Sequence, residues 1–199
     1  GRVVGEENYA DLKTDSLKSK YMEWYNPSNC FVLLSGKVKK ETVEDLQDVF
    51  GKWVYSNNKV EEINHPTSMG SSPVKKLIEK EGAVQSAIRI GKVLFNKTHP
   101  DFVPLTVLTT ILGGYFGSRL MSNIREDKGY TYGVGSSLIS LKNAGYLVIS
   151  TQVGNDVRHA ALKEIYFEIN RLINEPVMEE ELSLVKSYLT GSFQRSIDG

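Results

Sequence analysis

Residues 112–138 read LGGYFGSRLMSNIREDKGYTYGVGSSL, and this stretch decides how the chain is organised. Gly113, Gly114 and Gly117 interrupt the helix that carries Leu112, because glycine destabilises a helix interior. Ser118 opens a second short helix to about Lys128, which Gly129 ends. A strand is predicted over 131–140 and another over 145–153, joined by a hairpin turn at Lys142, Asn143 and Ala144. Further on, Asn155 is the expected cap of a long helix with Val157, Ala161, Ile165, Leu172 and Ile173. Pro176 separates it from a last helix with Leu182, Val185, Leu189 and Phe193. Working backwards, Asp101 is placed to cap a helix with Pro104 in its first turn and Leu105, Leu108 and Leu112 on one face. Before it, strands are predicted over 74–81 and 84–95 around Gly82. The order predicts an α+β fold, a mostly antiparallel mixed sheet with helices packed on one face.

Residues 55–73 are polar, hold Pro66, Gly70 and Pro73, and lack periodic hydrophobicity, so they read as a linker. Residues 1–54 form a helix–strand–helix unit ahead of it. Thr14 is the expected cap of a helix with Leu17, Tyr21 and Trp24 or Tyr25 on its apolar face. Asn26, Pro27, Ser28 and Asn29 break that helix, and CFVLLS at 30–35 is short and continuous enough for a buried strand. A second helix follows with Val43, Leu46, Val49 and Phe50 on one face and Gly51 as its stop. Residues 74–199 make the larger unit.

The 24 basic and 24 acidic side chains cancel, which argues against a nucleic-acid or membrane-surface binder. No apolar run reaches the roughly 20 residues that a membrane helix needs. The chain opens Gly1-Arg2 without a methionine and is expected to be a piece of something longer. Cys30 is the single cysteine, so no intrachain disulfide forms; inside an apolar run it reads as a small packing residue. His65 and His99 precede prolines, and His159 has Glu164 five positions on, poorly placed for its own helix face. Neither H-x-x-E-H nor H-E-x-x-H occurs, so no metal ligand is assigned. Gly113, Gly114, Gly117 and Ser118 lack the lysine of a phosphate loop and follow a helix, which favours a tight corner between helices. The acid pairs, including Glu179-Glu180-Glu181, lie where solvation or helix-dipole complementarity explains them.

Arg125 lies near the end of the short helix, and Tyr132 starts the strand seven positions later, with Gly129 between them. A guanidinium and a phenol meeting there offer donors to a peptide carbonyl or a developing oxyanion. Spacing alone favours a plainer reading, an arginine complementing the helix dipole and a tyrosine in the core.

The stretch 112–138 resembles the C-terminal half of the pitrilysin (insulinase, mitochondrial processing peptidase) family, through its glycine-rich turn, Ser-Arg-Leu, Arg-Glu and Gly-x-x-Tyr. WYNPSNCFVLLSGKV, VEDLQDVFGKW, HPDFVPLTVLTTILGG and MEEELSLVKSYLTGSF are similar to further family segments in the family's order. The resemblance implies half of a zinc endopeptidase whose two similar halves close on a peptide. It implies that zinc and the general base sit on an absent half carrying H-x-x-E-H. Arg125 and Tyr132 match the family's substrate-binding pair, with Tyr130 ranked below Tyr132. The implied partners are that zinc-bearing half, or a zinc-bearing subunit, and a peptide substrate. By itself the chain is expected to be inactive. Two other readings stay open: a zinc-free subunit of a heterodimeric peptidase, and a scaffold homologue that has lost catalysis. On the same resemblance, the strand at 30–35 is expected to stand in for a strand missing from the second repeat.

Overall fold

The computed structural model describes residues 4–53 and 73–198. Two compact units divide the chain, Gly1–Asn64 and His65–Gly199. The linker predicted at 55–73 lies, apart from Pro73, outside the described residues, as does His65.

In the first unit, α1 (Thr14–Trp24) and α2 (Lys40–Phe50) form where the apolar spacing places them. Thr14 is the first helical residue and not the cap, since Lys13 takes the cap position without a side-chain bond. Asn26 does cap the following turn, its side chain accepting from the Ser28 N–H at 3.0 Å. Residues 30–35 carry no strand, which corrects the sequence expectation. They also lie outside the three-stranded sheet, which disposes of the expected substitute strand. Apolar β-formers become a strand only where a neighbour satisfies their backbone groups, and none of the described residues does so. Phe31 and Leu33 are 88% and 84% exposed, and Cys30 is exposed as well. The packing role assigned to Cys30 is therefore wrong in this structure.

The second unit is built on β1 (Gln85–Leu94), β2 (Val134–Ser140) and β3 (Gly145–Gly154). The order is β1-β3-β2, and both pairings are antiparallel, so no parallel pair is present among the described strands. Residues 74–81 form no strand, and the turn at Gly82 (φ +72°) leads straight into β1. Register puts Ile88 opposite Thr151, Ile90 opposite Ile149 and Ser136 opposite Ile149, all on one face. That face packs with Leu112, Leu120, Ile124, Ala161 and Ile165 into the core. The opposite face, which carries Gln85, Ala87, Arg89 and Gln152, is exposed. Among the described residues of this unit, the helices cover one face, as predicted.

Two helices pack on this sheet, α3 (Phe102–Thr109) and α4 (Arg158–Asn174), while α5 (Glu179–Asp198) packs on α3 and on the turn at 110–114. Asp101 holds the cap position of α3 but makes no side-chain cap bond. Asn155 does not cap α4, which starts at Arg158. Its amide instead spans to the Ala83 carbonyl at 2.7 Å and accepts from the Ser86 hydroxyl at 2.7 Å. After α3 the helix widens to a π-turn over Thr110–Gly114, with Gly113 at φ −162°, ψ 18°. The wider turn shifts the helical phase, so Leu108 is 39% exposed while Ile111 and Leu112 are buried. Gly113 is required there for space, because a Cβ would stand 2.6 Å from the Ser136 backbone nitrogen.

Candidate functional site

The segment between α3 and β2 carries the two residues singled out in the sequence. Met121–Asp127 is a second π-helical stretch, closed by Lys128 N–H to Asn123 carbonyl at 3.0 Å. Leu120 and Ile124 anchor it with fully buried side chains. Two polar cross-links fix its outer side. Arg119 donates from Nε and Nη2 to the two carboxylate oxygens of Glu181 on α5, at 2.8 and 2.7 Å. Asn123 donates to Glu164 and to the buried Glu168 on α4, at 3.0 and 2.7 Å, and Glu168 also accepts from Arg171 at 3.2 Å. The Arg119 guanidinium holds the Glu181 carboxyl below the ordinary carboxylate range, and Glu181 in turn raises Arg119. Burial is the main cause that raises the Tyr115 phenol nearby, with the Glu181 charge adding to it.

Arg125 projects from this braced stretch, its guanidinium carbon 4.5 Å from the centroid of the Phe116 ring. A cation over a ring face is held without using up its hydrogen-bond donors. Gly129 (φ +66°) then reverses the chain. Tyr130 packs its ring against the core. Thr131 staples the bend: its hydroxyl lies 2.6 Å from the Gln152 carbonyl and 2.9 Å from that of Gly133, and it accepts from the Gly133 N–H at 3.1 Å. Tyr132 therefore sits in a bend before β2 and not in the strand, and it is 95% exposed. Arg125 and Tyr132 line one shallow cavity of about 440 Å³ beside β3, with Gln85, Gln152 and Gly154 as further walls.

The residues that brace Arg125 left no local signal in the sequence, because Arg119 meets Glu181 across 62 positions and Asn123 meets Glu168 across 45. The acidic run 179–181 read as solvated or dipole-complementing is so only in part: Glu179 and Glu180 are exposed, while Glu181 is half-buried in its arginine pair. Gln85 and Gln152 were also not singled out, although β alternation places both on the open face.

No three His, Cys, Asp or Glu side chains converge in metal-holding geometry among the described residues. His99 stacks on Phe95 and accepts from the Asp101 N–H at 3.2 Å, while His159 is exposed beside Arg158. His99 and His159 do not fit a zinc ion. No described helix is long and apolar enough to cross a membrane.

The fold is an α+β domain with helices packed on an antiparallel sheet. The family model described as "Peptidase M16 inactive domain" matches residues 11–189, and the chain belongs to that family. It is 26% identical over 193 residues to the "uncharacterized zinc protease YmxG" of Bacillus subtilis, covering 97% of this chain and 46% of that protein. It is 27% identical over 194 residues to the "non-peptidase homolog YmxG" of Helicobacter pylori, covering 94% of this chain and 43% of that protein. The crystal structure of a peptidase M16 inactive domain from Pseudomonas fluorescens superposes with a TM-score of 0.77 at 22% identity, covering 94% of this chain and 45% of that one. The chain thus spans less than half the length of these relatives.

Proposed function

We propose that this chain is the substrate-gripping, C-terminal part of an M16-type zinc endopeptidase. In this reading Arg125 and Tyr132 hold the peptide and steady the oxyanion of the tetrahedral intermediate. Zinc and the general base come from a separate zinc-bearing half or subunit, which closes on the peptide from the other side. The observation that carries the reading is the shared cavity: a guanidinium held on an aromatic ring and an exposed phenol line the same wall. Both groups donate to oxygen, and a donor aimed at a developing oxyanion is worth about 10²- to 10³-fold in turnover. Tyr130 lines the same cavity but is half-buried against the core, which ranks it below the exposed Tyr132 for this role.

The test is turnover of a peptide substrate by the chain assembled with its zinc-bearing half. Arg125→Ala and Tyr132→Phe are each expected to lower kcat on the order of 10²-fold. Wild-type turnover in both variants would remove the assignment. The second reading, a domain that binds without catalysing, is favoured by one observation, the description of the Helicobacter relative as a non-peptidase homolog. It predicts no peptide turnover by the assembled protein at any zinc loading.

A further inference from the structure

We infer that the groove around Tyr132 selects peptides that present a carboxylate, and that Arg89 is the residue that reads it. This rests on the peptide-gripping reading above and deepens it by naming the substrate class. The cavity holding Arg125 and Tyr132 does not end at the phenol. A second cavity of about 340 Å³ continues from it along the open face of the sheet, sharing Gln85, Thr131, Tyr132 and Gln152. Arg89 lines this continuation, so the groove carries one arginine on each side of Tyr132. Among the described residues, no aspartate or glutamate lines either cavity.

The Arg89 side chain is also set up to receive an acid. Its Nη1 donates to two backbone carbonyls, those of Ile88 at 2.8 Å and Thr151 at 3.2 Å, which fixes one end of the fork. Nε and Nη2 have no acceptor among the described residues, and Arg89 is exposed on the face that the helices leave open. A guanidinium held at one end and free along its other edge is pre-organised for a carboxylate. The polar walls at Gln85 and Gln152 are neutral amides, which pair with peptide groups and place no charge against the arginines. Where the groove opens beyond Arg89, Lys76, Lys80 and Arg158 outnumber Glu79 and Glu81, so the field there stays positive. Arg125 and Tyr132 grip the peptide backbone, and Arg89 pairs with an acidic side chain or a free C-terminus of the same peptide.

The test measures binding of eight-residue Gly/Ser/Ala peptides, carrying an uncharged dye, to the full chain by fluorescence anisotropy at low salt. Four peptides are compared: end-capped neutral, capped with one Glu, capped with one Lys, and neutral with a free C-terminus. The Glu peptide is expected to bind about fivefold tighter than the capped neutral one, as a partly exposed ion pair allows. The Lys peptide is expected to bind more weakly than the neutral one. Arg89→Gln should bring the Glu-to-neutral ratio to about one, and Arg89→Lys should keep only part of the preference, since an ammonium supplies the charge without the fork, with circular dichroism confirming that both variants fold. Tight binding of the free-C-terminus peptide alone assigns Arg89 to a terminal carboxylate, and of the Glu peptide alone to a side chain. Equal affinities for Glu, neutral and Lys peptides overturn the carboxylate preference, while the gripping reading survives if Arg125→Ala still weakens all four. Absence of binding by every peptide overturns both.

Discussion

The bidentate pair between Arg119 and Glu181 is the strongest polar tie between the stretch that carries Arg125 and α5, and its energy can be worked out from the structure. Two charge-assisted bonds of 2.8 and 2.7 Å join side chains that are 11% and 26% exposed. Exposed ion pairs contribute under about 1 kcal/mol, while breaking a fully buried one costs about 3–5 kcal/mol. The quarter exposure of Glu181 brings the expected coupling to about 2 kcal/mol. Among the described residues Arg119 Nη1 is already buried without a partner, so Glu181→Ala leaves the guanidinium no acceptor there and costs more than the coupling alone. The assay is a double-mutant cycle of Arg119→Ala and Glu181→Ala, read by urea unfolding and circular dichroism at pH 7. The same pair has a pH signature. Arg119 lowers the Glu181 carboxyl, so the folded chain binds that proton more weakly than the unfolded one. Its contribution is full above the unfolded glutamate value, about pH 4.3, and is lost as pH falls from there through the folded value. Arg119→Ala should therefore flatten that part of the acid limb. A coupling below about 0.5 kcal/mol, or an acid limb unchanged in Arg119→Ala, refutes the reasoning.

Three further substitutions test the geometry of the site segment. Gly113→Ala drives a Cβ to 2.6 Å from the Ser136 nitrogen and should cost about 3 kcal/mol in urea unfolding. Gly129→Ala meets no atom within 4 Å and should lose only about 1 kcal/mol, from its φ of +66°. Equal losses in the two would remove the steric account of Gly113. Ile124→Ala deletes a side chain that is 0% exposed beneath Arg125 and should cost about 3 kcal/mol in the same assay, a loss under 1 kcal/mol showing that the π-helical stretch is not anchored there.

Local pattern sufficed where structure depends on local pattern. The helices at 14–24 and 40–50, the hairpin of β2 and β3 and the burial of Ala161, Ile165 and Val185 all follow from spacing and turn chemistry. It failed where an element depends on a distant partner. CFVLLS carries strand propensity, yet a strand exists only when a neighbour pairs it, and 74–81 fails for the same reason. Asn155 reads as a helix cap by type, but its amide is engaged by Ala83 and Ser86, some seventy positions earlier. The widening of the helix at 110–114 leaves no trace in periodicity, only in the glycines, and β2 passes close to Gly113 there. At the site, the sequence pointed to Arg125 and Tyr132 through a resemblance more than through spacing. The open groove beside them became visible only once register set Arg89, Gln85 and Gln152 on the uncovered face.

The central claim, that an arginine and a tyrosine of this chain act on a peptide held by a zinc-bearing partner half, comes down to one rate. In the assembled peptidase, the single-turnover rate of Tyr132→Phe isolates a phenol hydroxyl that makes no hydrogen bond among the described residues and is 95% exposed. The account predicts a rate lowered about 10²-fold with peptide affinity changed less than about threefold, as for a donor that acts mainly in the transition state. An unchanged single-turnover rate contradicts it.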